Sequence, residues 1–120
     1  MRTFGMKTAA AKAKGRRLQQ WFRDKLIETL EVPADDVRST AMGQSGEDIL
    51  LSHEARMRFP FSVECKNQER LNLWSAWEQA NSNKGIYSPL LVVKRNGTSP
   101  LVVLEADTFM ELVKNNDWEK

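Results

Sequence analysis

Three side chains have the types and the spacing of a hydrolytic centre: Asp48, Glu64 and Lys66. Glu64 and Lys66 stand two residues apart in a stretch where Phe59, Phe61, Val63 and Cys65 alternate with mostly polar residues. Period two is the signature of a half-buried strand and puts Glu64 and Lys66 on one face. A carboxylate and an ammonium fixed side by side can bind a hard cation and handle a water beside it, provided a second carboxylate stands near. Asp48, at the head of Asp48-Ile-Leu-Leu-Ser52, is the candidate. In this reading Asp48 and Glu64 hold one or two Mg²⁺ or Mn²⁺ ions, helped by the Cys65 backbone carbonyl. Lys66 orients the attacking water or stabilises charge developing on a phosphate. The competing reading is an exposed charge pattern on a strand, with Asp48 merely following a turn; strand context and chain order favour the site.

The elements that must position these residues follow from periodicity. Leu18, Trp21, Phe22, Leu26 and Leu30 fall on one side of a helix expected from Gly15 to Pro33, and Gln19 projects on that same buried side. Short strands are expected over residues 37–42 and 48–52, with Gly43-Gln-Ser-Gly46 as the turn between them and His53 to Met57 as a polar connection. Pro60 cannot donate to a ladder, so the motif strand must begin after it or bulge there. Leu71 to Ser82 reads as a second long helix whose apolar side gathers Leu73, Trp74, Ala76, Trp77 and Ala80, with Gln79 flanking it. Tryptophans at this spacing are expected in the core. Residues 89–94 and 101–104 are apolar strands joined through Asn96-Gly97, a hairpin signal, and Asp107 is the expected cap of a last helix.

With 120 residues, 41% hydrophobic and 28% charged, the chain is sized for one core. It has no apolar run of membrane-spanning length and no apolar signal-peptide core, so a soluble cytoplasmic protein with no membrane partner is expected. One cysteine excludes an internal disulfide and a cysteine-based zinc site, and the strand pattern points Cys65 inward. His53, the only histidine, has no marked nucleophile to serve, and Glu47 reads as a surface residue. Net charge is +2, yet seven of the 18 cationic residues precede the first acid, Asp24. Residues 1–14 therefore read as a basic arm ahead of a domain spanning 15–120. Lys12, Lys14, Arg16 and Arg17 are the candidate contacts to a phosphate backbone, which would give affinity with little sequence preference.

The order Asp48, about fifteen residues, then Glu64-Cys-Lys66 resembles the PD-(D/E)XK nuclease superfamily. Lys14-Gly15 opening a helix, Ser45 in the small-residue turn before Asp48, and Gln79 on the helix after the motif strand are similar to the archaeal-type Holliday-junction resolvases and their phage relatives. The likeness covers nearly the whole chain from Lys14. It implies a restriction-endonuclease-like α/β fold with a central mixed five-stranded sheet flanked by helices. It also implies that Ser45, Gln79 and Gln19 join Asp48, Glu64 and Lys66 in the site, and that the products carry a 5′-phosphate and a 3′-hydroxyl. Where the family usually has a glutamate four residues after the glycine, this chain has Gln19, which can hydrogen-bond a metal-bound water but brings no charge.

The expected function is a metal-dependent, structure-selective DNA endonuclease that cuts four-way junctions in recombination. Resolution requires two incisions and each chain has residues for one centre, so a homodimer is expected. Two alternatives remain open in the sequence: a DNA-binding or packaging accessory module that keeps the fold but has lost efficient cleavage, and a nicking or restriction-type nuclease acting on ordinary duplex.

Overall fold

The computed structural model of the chain describes residues 8–41 and 46–116. The Thr8 hydroxyl accepts the Ala11 N–H at 3.0 Å and starts α1 (Ala9–Leu30). Ala and Lys dominate residues 9–14 and are strong helix formers, so the helix begins well ahead of Gly15. Lys12 and Lys14 thus belong to α1; residues 1–7 of the expected arm lie outside the described residues. Glu31 closes α1 in the left-handed conformation (φ 55°), its N–H bonding Ile27 O at 2.9 Å, and Pro33 prevents continuation.

A 3-10 turn, Ala34–Asp36, leads into β1 (Val37–Ser39), which pairs antiparallel with β2 (Ile49–Leu51), Val37 opposite Leu51. The segment expected to be a polar connection is a helix, α2 (His53–Arg58). Its cause is Ser52, whose hydroxyl accepts the Ala55 N–H at 3.2 Å while Ala55 packs into the core.

The motif strand, β3 (Phe61–Asn67), starts immediately after Pro60, as a ladder strand must. From it the chain crosses over through α3 (Leu73–Ser82) to β4 (Ser88–Lys94), parallel to β3 with Glu64 opposite Leu91 and Lys66 opposite Val93. β5 (Leu101–Val103) returns antiparallel to β4. The final helix, α4 (Ala106–Lys114), has Glu105 at its cap position without a side-chain cap bond; Asp107, the expected cap, lies in the first turn, where its charge suits the helix dipole.

Among the described residues the architecture is mixed α/β, with four helices and two sheets ordered β1-β2 and β3-β4-β5. The single five-stranded sheet expected from the sequence is not formed by them. β1 and β2 are three residues long, and only one backbone bond, Asp48 N–H to Val63 O at 2.8 Å, joins β2's leading end to β3. The next position along that edge is taken by a side chain, the Asp48 carboxylate.

β3 and β4 divide the interior into two layers. Phe61, Val63, Cys65, Leu90 and Val92 face α1 and pack with Leu18, Leu26 and Leu30. On the opposite face Leu91 meets the small residues Ala76 and Ala80, which let α3 lie close to β4. Trp74 is not in this core: it is 75% exposed, because the sheet-facing side of α3 is the Ala76/Ala80 side. No helix among the described residues is long and apolar enough to cross a membrane.

Candidate active site

Residues 62, 64 and 66 alternate onto the α3 face of β3, so the strand pleat alone places the Glu64 carboxyl and the Lys66 ammonium together. Glu64 is 4% exposed. Its Oε2 accepts from Gln79 Nε2 at 3.2 Å and lies 3.8 Å from Lys66 Nζ, while its Oε1 accepts from Asn83 Nδ2 at 3.3 Å. Gln79 lies on α3 and Asn83, four residues on, is its C-cap, so the two point the same way. Asn83 is in turn fixed from below, its backbone carbonyl accepting the Ser62 hydroxyl at 3.3 Å.

Asp48 arrives from the sheet edge. Its Oδ2 accepts the Cys65 N–H at 2.7 Å, extending the ladder by one side-chain bond. In an extended strand the N–H and C=O of one residue point to the same side, so the Cys65 carbonyl also faces the Asp48 edge. The Cys65 thiol itself is buried on the α1 side, where desolvation first and the Asp48 and Glu64 charges second push its pKa well up. It is a core residue and no nucleophile.

The surroundings of Glu64 disfavour its charged form. Burial raises the Glu64 pKa from 4.5 to about 7, the Asp48 charge adds to the rise, and Asn83 and Lys66 only partly oppose it. Two carboxylates that repel one another, one of them desolvated, form a site that a hard cation would relieve. The donor set fits Mg²⁺ or Mn²⁺: Asp48, Glu64 and the Cys65 carbonyl offer oxygen only, and such ions keep several waters. Among the described residues no group of three or more His, Cys, Asp or Glu converges, so any ion here would rest on two carboxylates.

The remaining expected residues are placed differently. Gln79 joins Glu64 as described. Gln19 is 4% exposed on α1, the helix whose Leu18, Leu26 and Leu30 pack against Phe61, Val63 and Cys65. Ser45 lies outside the described residues. Lys12, Arg16 and Arg17 are exposed on α1, whereas Lys14 Nζ pairs with Glu69 at 3.2 Å and the Lys14 carbonyl accepts from Asn67 Nδ2 at 3.1 Å, tying α1 to the end of β3.

Three residues around the site escape a reading of the sequence. Asn83 has a usable signal, its four-residue spacing from Gln79. Glu47 and Arg56 have none, because their pairing depends on α2. Arg56 Nη2 meets Glu47 Oε2 at 2.5 Å, Nη1 donates to Phe61 O at 2.8 Å, and the guanidinium stacks 4.2 Å from the Tyr87 ring centroid. The residue before Asp48 is thereby clamped to the start of β3, so Glu47 is no free surface residue. No protein-family model, curated protein or solved structure is significantly similar to this chain.

Proposed function

We propose that this chain is a metal-dependent, structure-selective DNA endonuclease of restriction-endonuclease-like fold, acting as a Holliday-junction resolvase. The observation that carries the reading is the Glu64 carboxyl. It is buried, faces the Asp48 charge, and is oriented by two amides with Lys66 beside it. Lys66, its cationic neighbour at 3.8 Å, only partly opposes the rise in its pKa, so the carboxyl is held in place but incompletely compensated.

Asp48, Glu64 and the Cys65 carbonyl would hold Mg²⁺ or Mn²⁺, which when bound polarises the scissile phosphate and lowers the pKa of a coordinated water. The chain's own side chains do the rest. Gln79 and Asn83 fix the rotamer of Glu64, and Asp48 is locked by Cys65 N–H. Lys66, 14% exposed, directs its ammonium to the same side and can orient the attacking water or stabilise charge on the phosphate oxygens. Arg16, Arg17 and Lys12 supply phosphate contacts on α1.

Two centres are needed to cut a junction on two strands, so the proposal includes a homodimer. Its surface would draw on exposed apolar side chains of α3 and α4, Trp74, Phe109, Met110 and Leu112, which are 75%, 51%, 60% and 42% exposed. The second reading is a DNA-binding accessory module with weakened cleavage. It is favoured by Gln19, which brings no charge, and by the absence of a third acid among the described residues. Incubating the protein with labelled junction, flap, single strand and duplex, with and without Mg²⁺ or Mn²⁺, separates these. The resolvase reading predicts metal-dependent paired cuts in the junction; binding without cutting supports the accessory module.

A further inference from the structure

Beside the candidate site, on the same face of the sheet, a cavity of about 460 Å³ opens between the loop after β3 and the β4–β5 hairpin. Its apolar lining is Leu71, Val93 and Leu101, and its cationic lining is Arg70, Lys94 and Arg95. Glu69 is the one acid among the lining residues, and its Oε2 is already engaged by Lys14 Nζ at 3.2 Å and by Asn96 N–H at 2.6 Å. The cavity therefore presents positive charge around an apolar surface. Its volume falls in the range of about 300–1,000 Å³ typical of small-ligand sites.

Its position follows from the strand register. Val93 is the β4 partner of Lys66, and Leu101 is the β5 partner of Val93. Paired residues share a face, and neighbouring strands lie roughly 4.8 Å apart. The cavity thus begins one strand away from Lys66, at the carboxyl ends of the parallel strands β3 and β4, where crevices in open α/β sheets take ligands. The wall is fixed: Gln68 N–H bonds Lys94 O at 3.0 Å, and the Arg95 carbonyl accepts both Thr98 N–H at 3.2 Å and the Thr98 hydroxyl at 2.9 Å.

We propose that this cavity receives one unpaired nucleotide of the DNA substrate, the one flanking the phosphate held at Lys66. The inference rests on the nuclease reading for the position of that phosphate. Apolar side chains and guanidinium planes accept the face of a base, and the Lys94 ammonium can donate to its phosphate. A base stacked and paired in a continuous duplex cannot enter a concave pocket, whereas a base at a gap or flap can, and at the centre of a four-way junction, where bases are paired but stacking is interrupted, the pair at the crossover can open to supply one. The cavity would accordingly be the element that prefers branched over continuous DNA, a discrimination that the exposed cations of α1 cannot make because every duplex offers them the same phosphates.

The test uses the full chain without divalent metal and two DNAs of one sequence. One is fully paired, and the other leaves a single 2-aminopurine unpaired. The expected result is a change in 2-aminopurine emission on binding, confined to the unpaired form. Arg70→Ala and Arg95→Ala, both at exposed positions, should each weaken binding of the unpaired form about tenfold and of the paired form less than about twofold. Leu101→Trp, which fills the pocket and leaves its charge intact, should reproduce that selective loss. Equal weakening of both DNAs by the arginine variants, or unchanged binding by Leu101→Trp, would overturn the assignment. The nuclease reading is scored separately by adding Mg²⁺. A chain that cuts nothing but shows the selective loss keeps the nucleotide pocket, and one that cuts yet shows no selective loss does not have it.

Discussion

The Asp48 carboxylate accepts the backbone N–H of Cys65 at 2.7 Å, so one candidate metal ligand also serves as a rung between the β1-β2 ribbon and β3. Two roles in one side chain can be separated. Asp48→Asn keeps an oxygen for Cys65 N–H and removes the charge, whereas Asp48→Ala leaves a part-buried donor unmatched. Both variants are expected to lose Mg²⁺-dependent cleavage. Asp48→Ala alone should lose roughly 1–3 kcal/mol of stability in urea unfolding. Equal stability of the two variants would show that the rung contributes nothing.

Glu64 gives a pH dependence with a definite sign. Its folded pKa, raised to about 7 from 4.5, means that the folded chain binds this proton more tightly than the unfolded chain. Without divalent metal, this group's effect is therefore a fall in stability as pH rises from about 4.5 to about 7, levelling above. The size is on the order of 3 kcal/mol as an upper bound. Glu64→Gln should remove that component, making the metal-free variant more stable than the parent at pH 8 and little different below pH 4.5. Denaturant melts across this range check it.

Much of this arrangement is legible in the sequence because strand periodicity is local. The alternation through Phe61, Val63 and Cys65 places Glu64 and Lys66 on a shared face, and Pro60 marks where β3 begins. What escapes depends on neighbours distant in the chain. Whether β2 continues the main sheet is decided by how few backbone bonds its three residues can make. The exposure of Trp74 follows from Ala76 and Ala80 meeting β4, which a helix wheel cannot reveal. The role of Arg56 depends on the helix that Ser52 caps, and a single serine ahead of a polar stretch is a weak sign of one.

The amides on α3 offer a test of orientation. Asn83 donates to Glu64 Oε1 and opposes the rise in its pKa. Asn83→Ala should move the acid limb of the cleavage pH profile upward and weaken Mn²⁺ binding, with a smaller effect on DNA affinity. A profile that overlays the parent's would remove Asn83 from the site.

Gln19 can be interrogated through metal-linked stability. Gln19→Glu places a carboxylate at a position 4% exposed and should cost roughly 1–3 kcal/mol without metal. If the position faces the metal site, Mn²⁺ should raise the melting temperature of the variant more than that of the parent. Equal increments would assign Gln19 to packing of α1 alone.

The exposed cations of α1 should act through phosphates only. Replacing Lys12, Arg16 and Arg17 together by alanine is expected to weaken binding to all DNA sequences alike. It should also flatten the salt dependence of log K by roughly 0.9 for each phosphate no longer neutralised. Lys14 is left in place because it joins α1 to Glu69. An unchanged salt slope would make these side chains a solvated surface.

The most direct measurement of the central claim is cleavage of an end-labelled four-way junction in Mg²⁺ by the parent chain and by Glu64→Gln, with binding measured in parallel. The proposed activity predicts symmetric paired cuts leaving 5′-phosphates from the parent, none in chelator, and none from Glu64→Gln, which should bind the junction at least as tightly because a negative charge near phosphate is gone. Cleavage by Glu64→Gln at the parent's rate, or no cleavage by the parent of any DNA with either Mg²⁺ or Mn²⁺, would contradict it.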